Sequence, residues 1–300
     1  MSDPIEVLAI IIVEFDTPID TIKCLDTVEK YLGDRARVYI YDNSKQSHTI
    51  LTDYLTSLSL VYEYVRNSGN LGFAKACNLG LDQAKKDGFK YAMLLNSDTL
   101  LVDDSPFRGV ELFEHNRNVA VLGVVNYLSD NPSKIWQAGM NLRKTYLGFK
   151  PVAPVADSEI TLCDYVAGSS LILRLSLLDD IGFLNEDYFA YYEEIDYCFR
   201  IQKFGMKVGY INNSKILHKV GASSSSGLRT YLKSRNKLYF YQTICESSIH
   251  FIVVTTLLLM KDLALILIKD PSTINFRNLF LGIIDFRNKK MELSRFQGED

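Results

Sequence analysis

Three polar residues, Asn96-Ser97-Asp98, follow directly on the apolar run Tyr91-Ala92-Met93-Leu94-Leu95. A short apolar run bounded by polar residues predicts a buried strand of an α/β sheet. Because open α/β sheets bind ligands at the carboxyl ends of their strands, Asp98 is placed where a carboxylate could hold a hard divalent cation. An ordinary Asn/Ser/Asp turn fits the same residues, so the rest of the chain has to decide between the two.

A pair of acids, Glu193-Glu194, follows the aromatic run Tyr188-Phe189-Ala190-Tyr191-Tyr192. Acids are favoured in the first turn of a helix, and Asp196 and Arg200 are spaced for an i,i+4 ion pair, so a structural role is open. A carboxylate beside aromatic rings has a raised pKa, which suits a general base. The pair is therefore a candidate for proton abstraction.

Further candidates lie before and after these acids. The loop Arg66–Phe73 contains Gly69 and Gly72, which would let the backbone approach a ligand at the start of the next helix, although many such loops have no function. His218 is a lone histidine that could be structural or a ligand. The run Ser223–Gly227 predicts a flexible loop that could act as a lid. Basic residues then follow at roughly helical spacing, as a solvated face or an anion clamp: Arg229, Lys233, Arg235 and Lys237.

The elements that must position these residues alternate between strand and helix. Strands are predicted at 7–13, 37–41, 60–65 and 91–95, and helices at 17–32, 49–58 and 74–86. Crossovers of this length predict parallel pairing, so the fold class is α/β, with a mixed, mostly parallel central sheet flanked by helices. A dinucleotide-binding fold needs a GxGxxG turn after its first strand, but the turn Glu14–Pro18 contains no glycine. The chain also has no P-loop, so the sequence excludes both a dinucleotide-binding site and a P-loop nucleotide site.

Residues 126–164 are predicted to be the least regular part of the chain, which is typical of a functional loop or a small excursion. They contain Trp136, which could stack on a sugar face, although a buried structural role is commoner for tryptophan. Strand character returns at Tyr165–Leu173, where Gly168 indicates a bulge or a close backbone approach. Short strands are predicted at 207–211 and 216–219.

The composition allows one large domain with an appendage and argues against disorder, since 47% of the 300 residues are hydrophobic. The net charge of −3 identifies no partner, but residues 228–300 have 11 Lys/Arg against 7 Asp/Glu. The five cysteines are widely spaced and form no CxxC pair, which predicts reduced thiols in a cytosolic protein. Acids flank Val7–Val13, so this apolar run does not fit an export signal.

The tail contains a 20-residue apolar stretch, Ile249–Ile268, interrupted by Lys261-Asp262. Its length would suit a membrane span, but a charge pair near the middle is costly in lipid. We therefore expect an interfacial helix pair flanked by basic residues such as Arg277 and Arg287. A span and a packed soluble helix are the alternatives.

Taken together, these features resemble the family 2 glycosyltransferases of the GT-A fold, especially bacterial rhamnosyltransferase-type enzymes of O-antigen and capsule synthesis. Six stretches carry the resemblance in family order: Tyr41-Asp42-Asn43-Ser44, Asn67–Gly80, Leu94–Asp98, Tyr165–Ser169, Tyr188–Arg200 and Leu217–Ser223. The resemblance implies a catalytic GT-A domain over residues 1–227. The charge and hydropathy of the tail predict a basic, helical region over 228–300 that could associate with a membrane.

The resemblance also implies roles for individual residues. Asn96-Ser97-Asp98 takes the place of the family's DxD motif, with Asp98 as ligand of Mg²⁺ or Mn²⁺ and His218 completing the metal site. Glu194 aligns with the catalytic base, which is usually Asp, and Glu193 with its acidic neighbour. The implied donor site consists of Phe15, Asp42, Asn67, Gly72, Asn78, Asn96 and Gly168, with Arg229 or Arg235 adding charge at the diphosphate.

The implied activity is inverting, metal-dependent transfer of a sugar, with rhamnose favoured, from a dTDP- or UDP-sugar to a growing glycan. The acceptor is expected to be lipid-linked, on the inner face of the cytoplasmic membrane, with no nucleic acid involved and self-association left open. A catalytically silent sugar-nucleotide-binding subunit is the alternative, and it is disfavoured because both carboxylate positions are kept. A nucleotidyltransferase would need a Gly/Arg/Lys-rich loop after the first strand, which is absent.

Overall fold

The computed structural model describes residues 8–220, 226–269 and 273–291. Residues 221–225, which contain most of the Ser/Gly run predicted as a lid, lie outside the described residues, as does Val7 of the first predicted strand.

The described strands and helices follow one another along the whole chain. The strands are β1 (Leu8–Glu14), β2 (Ala36–Asp42), β3 (Val61–Arg66), β4 (Tyr91–Asn96), β5 (Thr99–Leu101), β6 (Val119–Gly123), β7 (Asn126–Leu128), β8 (Ile135–Gln137), β9 (Gly139–Leu142), β10 (Phe149–Val152), β11 (Ile160–Leu162), β12 (Tyr165–Val166), β13 (Ser170–Arg174), β14 (Lys207–Ile211) and β15 (Ile216–His218). The helices are α1 (Pro18–Tyr31), α2 (Thr49–Leu55), α3 (Phe73–Lys86), α4 (Ser105–His115), α5 (Leu178–Ile181), α6 (Glu193–Lys203), α7 (Ser226–Ile244), α8 (Ser248–Lys269) and α9 (Thr273–Arg287).

Eight strands form the central sheet in the order β11-β14-β6-β13-β4-β1-β2-β3. Strands β4, β1, β2 and β3 run parallel, and β13 is antiparallel to both β4 and β6. Alternate residues of β1 face opposite sides, with Ile10 and Ile12 in one core and Ala9 and Ile11 in the other. The predicted mixed, mostly parallel sheet is confirmed.

Residues 126–164 are more regular than predicted, because they contain five short strands. Strands β7 and β8 join β15 and β5 in a four-stranded sheet of order β5-β15-β7-β8. Strands β9 and β10 form a second small sheet with β12. Strands of three or four residues are too short to show a periodicity, so the sequence could not reveal them.

Helix α7 packs onto the loop that precedes α6. The side-chain amide of Asn236 in α7 donates to the carbonyls of Tyr188, Ala190 and Tyr191. The buried guanidinium of Arg235 donates to the carbonyls of Asp187 and Tyr188. Two adjacent residues of α7 therefore fix the aromatic run that leads into Glu193-Glu194.

Helix α8 lies along the protein surface. Val254 and Leu258 are buried against the core, and Asp262 forms an ion pair with Lys237 of α7. Residues 248–268 are the one described segment long and apolar enough to cross a membrane, with a mean hydropathy of 2.4, and only 17% of that apolar window is buried. Most of the helix therefore faces outward.

Candidate active site

The carboxyl ends of three parallel strands bring the first group of site residues to one edge of the sheet. In the register of the sheet, Glu14 of β1 is paired with Asp42 of β2, and Val13 is paired with Asn96 of β4. Phe15 directly follows β1, and Asp98 lies two residues beyond the end of β4. The sheet edge predicted to bind ligands therefore gathers residues from three separate motifs.

Two adjoining cavities open at this edge. The first, of about 110 Å³, is lined by Phe15, Gly72, Asn96 and Asp98 among the predicted residues. The second, of about 220 Å³, is lined by Asn96, Asp98, Gly168, Glu193, Glu194 and His218. Asn96 and Asp98 belong to both walls. Asp98, the candidate cation ligand, therefore lies between the two cavities, and only the second cavity contains Glu193 and Glu194.

Asp98 and His218 form a buried pair. Oδ1 of Asp98 lies 3.2 Å from Nε2 of His218, and the two side chains are 8% and 5% exposed. The pairing of β15 with β5 brings them together, because Thr99, the residue after Asp98, is the register partner of His218. In the part of the chain that the structure describes, no group of three or more His, Cys, Asp and Glu side chains could hold a metal. A cation here would need further ligands from water or from a bound substrate.

Backbone strain marks the turn that delivers the acid pair. The backbone φ angles of Phe189, Tyr191 and Tyr192 are 64°, 68° and 81°, values that residues other than glycine rarely adopt. Strain of this kind collects at functional sites, where the surrounding contacts enforce it. The contacts here come from Asn236 and Arg235 of α7, described above.

Two glycines make room for this turn and for the acids. A Cβ on Gly72 would lie 2.5 Å from the ring of Phe189, so only glycine permits that contact. A Cβ on Gly168 would lie 3.2 Å from Cβ of Glu194. The close backbone approach predicted at Gly168 is therefore an approach to the second acid of the pair.

Glu193 is buried, Glu194 is half-buried, and both carboxyl groups are only partly hydrogen-bonded. Oε2 of Glu193 and Oε2 of Glu194 are both buried with no hydrogen-bond partner among the described residues. Burial raises the pKa of Glu194, opposed by backbone N–H groups at the start of α6 and by the charge of Lys233. Burial also holds the pKa of Glu193 well above its usual range, and the charge of Glu194 raises it further. Glu194 is the acid better able to ionise, and its free oxygen can accept a proton.

Three predicted donor-site residues lie behind the cavity walls. The carboxylate of Asp42 is fully buried and accepts hydrogen bonds from the Ser44 N–H and the Tyr64 hydroxyl. The Asn67 amide donates to Oδ1 of Asn43, which lines the first cavity. The Asn78 amide donates to the Leu184 carbonyl and to Oε1 of Glu186. None of the three lines either cavity, and Asn67 contacts a wall residue through Asn43.

The prediction of Arg235 as an anion ligand is wrong. Its guanidinium is fully buried and also donates to the carbonyl of Met291. Arg229 and Lys233, in contrast, line the second cavity. The period of the helix explains the difference between these residues. Residues 229 and 233 share one face of α7, whereas residue 235 points to the opposite face. The sequence spacing shows that these residues lie on two faces of α7, but it does not show which face meets the cavity.

Trp136 is the other correction. It is 39% exposed and lines the second cavity, so the expected buried structural role is wrong. Sequence reasoning also missed Asn43 and Phe73 as wall residues. Asn43 lies within the stretch Tyr41–Ser44 and Phe73 within Asn67–Gly80, so these two stretches could have indicated them.

Comparison with known proteins identifies a family. A sequence profile described as Glycosyl transferase family 2 matches residues 10–177. The low-salt glycan biosynthesis hexosyltransferase Agl10 of Haloferax volcanii is 23% identical over 83% of this chain and 80% of its own. The dTDP-rhamnosyl transferase RfbF of Shigella flexneri is 22% identical over 66% of this chain and 68% of its own.

Solved structures show a similar fold. The mannosyltransferase PcManGT of Pyrobaculum calidifontis, in complex with GDP-Man and Mn²⁺, has a TM-score of 0.60 at 11% identity, covering 96% of this chain and 88% of its own. GalNAc-T7 with UDP, GalNAc and Mn²⁺ has a TM-score of 0.59 at 15% identity over 79% of this chain. The match spans 50% of the GalNAc-T7 chain. At these identities the likeness concerns the fold alone.

Proposed function

The chain belongs to glycosyl transferase family 2 and is a glycosyltransferase of the GT-A fold, and we propose that it moves a sugar from a nucleoside diphosphate to a glycan hydroxyl with inversion. One observation carries this proposal: Asp98 lies on the wall shared by two cavities, and only the second contains the acid pair. The first cavity then takes the nucleotide, and the second takes the sugar and the acceptor.

Glu194 is the proposed base. Its unpartnered Oε2 takes the proton of the acceptor hydroxyl while that oxygen attacks the anomeric carbon of the donor sugar. The new glycosidic bond forms as the bond to the diphosphate breaks, and the diphosphate leaves as an anion without needing a proton. One carboxylate therefore suffices, whereas glycoside hydrolases use two. A single displacement inverts the anomeric centre.

Asp98 and His218 fit a divalent cation in part. A carboxylate oxygen and an imidazole nitrogen 3.2 Å apart supply two ligands suited to Mn²⁺ or Mg²⁺, and the donor's phosphate oxygens would supply others. When bound, the cation neutralises charge on the departing diphosphate. Arg229 and Lys233 line the second cavity, so the protein itself supplies positive charge there in addition to that of the cation.

One relative supports the class of donor that we propose. Similarity to a dTDP-rhamnosyl transferase supports a dTDP- or UDP-sugar with rhamnose favoured. The experiment is to incubate the protein and Mn²⁺ with a panel of UDP-, dTDP- and GDP-sugars and measure release of the nucleoside diphosphate. We expect release from one nucleotide class, with dTDP-rhamnose the best substrate. Nucleotide binding without release from any donor would instead support a silent binding subunit.

We also propose that the outer faces of α8 and α9 lie on the inner surface of the cytoplasmic membrane, where the acceptor would be lipid-linked. Large apolar side chains are exposed along α8: Ile249, Ile252, Val253, Leu257, Met260, Leu265, Leu267 and Ile268. On α9, exposed Ile274, Phe280 and Ile284 alternate with exposed Arg277 and Arg287. An apolar face bordered by arginines suits an anionic lipid surface. The packing of α8 on the core favours this arrangement over a span.

Replacing Ile252 and Met260 together by glutamate is expected to reduce vesicle binding about tenfold or more, because each exposed apolar side chain contributes roughly 1–2 kcal/mol when buried in lipid. Co-sedimentation with vesicles of zwitterionic and anionic lipid measures the effect. The control is Phe204→Glu, which changes a 51% exposed aromatic residue at the end of α6 and should bind as the wild type does. Unchanged binding by the double variant would refute the proposal, as would a wild-type oligomer that the two glutamates dissociate.

A further inference from the structure

Trp136 is the only tryptophan of the chain, and its indole borders the cavity that contains the acid pair. Large aromatic side chains dominate packing energetics, so a 39% exposed tryptophan inside a cavity leaves a large apolar surface uncovered. The mechanism proposed above assigns this surface no role.

The position of the ring is fixed by the small sheet beside the site. Trp136 lies on β8 where its pairing with β7 shifts register, between Ile135 and Gln137, which pair with Tyr127 and Asn126. Such irregularities re-aim a side chain and are frequent next to active sites. The ring meets the His218 ring edge to face, with centroids 4.8 Å apart. Because β7 also pairs with β15, the same sheet positions both rings.

The two cavities show which half of the site the indole faces. Trp136 lines the second cavity with Glu194 and is absent from the wall of the first, which contains Phe15 and Asn43. A group resting on the indole is therefore close to the base and away from the nucleotide half. Gln137, next to the ring, lines the same cavity and can both donate and accept hydrogen bonds.

We propose that Trp136 is the platform for the acceptor, and that the acceptor group is a pyranose ring. A pyranose has an apolar face of C–H groups and a rim of hydroxyls, which matches an indole face beside an amide and a carboxylate. Stacking would hold the ring while one hydroxyl points to Glu194. The inference rests on the proposed function and goes beyond it by naming the class of acceptor group, a cyclic sugar and not an open-chain polyol or a phosphate.

Intrinsic fluorescence tests this directly, since a single tryptophan reports on its own site. Wild-type protein with UDP or dTDP and Mn²⁺ is titrated with methyl pyranosides of rhamnose, glucose, galactose, mannose and N-acetylglucosamine, into the range of weak, millimolar binding. We expect a saturable change with at least one pyranoside and none with ribitol or glycerol phosphate. No response to any pyranoside, or an equal response to ribitol, would overturn the proposal.

Kinetics with the best pyranoside as acceptor separates this inference from the proposed function. Trp136→Ala should raise the acceptor KM about tenfold to a hundredfold, as loss of a central aromatic contact does, and this effect should exceed any change in donor hydrolysis by water. Trp136→Phe should recover part of the loss. Ile135→Ala, at the exposed neighbouring residue, is the control. An unchanged acceptor KM with normal hydrolysis refutes only the platform, whereas wild-type protein that hydrolyses no nucleotide sugar refutes the glycosyl transfer itself.

Discussion

Glu194→Gln is expected to lower the rate of sugar transfer by about 10²–10⁴-fold while nucleotide affinity stays at the wild-type value. Glutamine keeps the size of the side chain and its place beside Gly168, but it cannot accept the acceptor's proton. Glu193 is not expected to take over, because burial and the charge of Glu194 raise its pKa and so disfavour its ionised form. Single-turnover transfer, together with calorimetric titration of the nucleotide, measures both quantities.

The pH dependence of transfer belongs to the same prediction. Burial raises the pKa of Glu194, so the wild-type rate should fall on the acid side at a pH above the ordinary range of a carboxyl group. The sign follows from the role, since a base acts only when deprotonated, and activity is lost as the pH falls through the raised pKa. The residual rate of Glu194→Gln should lack this limb. Glu111→Gln, the same change on the exposed side of α4, is the control, and near-wild-type transfer by Glu194→Gln would refute the assignment.

Asp98→Ala is expected to weaken metal-dependent nucleotide binding about a hundredfold or more, because it removes the one carboxylate of the proposed cation site. His218 alone leaves a single protein ligand, and a single neutral imidazole does not replace the lost charge. Calorimetric titration of the nucleotide with and without Mn²⁺ gives the size of the effect.

Asp98→Asn is the matched variant for this prediction, because it keeps the shape of the side chain and removes only its charge. It should lose metal-dependent binding nearly as fully as the alanine variant does. Binding without Mn²⁺ should be similar in all three proteins. Wild-type nucleotide affinity of Asp98→Ala in excess Mn²⁺ would show that the aspartate does not hold the cation.

The placement of two candidate site residues, Asp98 and Glu194, could be predicted because local patterns and fold rules agree. The apolar run ending at Leu95 predicts a strand, parallel sheets bind at that end, and Asp98 lies there. The aromatic run before Glu194 predicts an acid with a raised pKa, and burial produces that shift. Each of these predictions needed only the residue's neighbours in the sequence and one rule about sheets or burial.

The errors arose where long-range contacts decide the outcome. Arg235 and Lys233 are both basic residues of α7, and only the packing of α7 against the loop 187–191 determines which one reaches the cavity. Asn78 lies in a matching motif, yet its amide bonds to Leu184, more than a hundred residues away. Trp136 is exposed because β8 is a three-residue strand in a small sheet, and no periodicity in so short a segment shows this.

The central claim is that Asp98 holds the cation and Glu194 accepts the proton, and one titration tests it most directly. Wild type, Asp98→Ala and Glu194→Gln are each titrated with the nucleoside diphosphate selected by the donor panel, in the presence of Mn²⁺. We predict wild-type affinity for Glu194→Gln and a loss of about a hundredfold for Asp98→Ala. Equal loss in both variants, or wild-type affinity in both, would contradict the assignment of one carboxylate to the cation and the other to the proton.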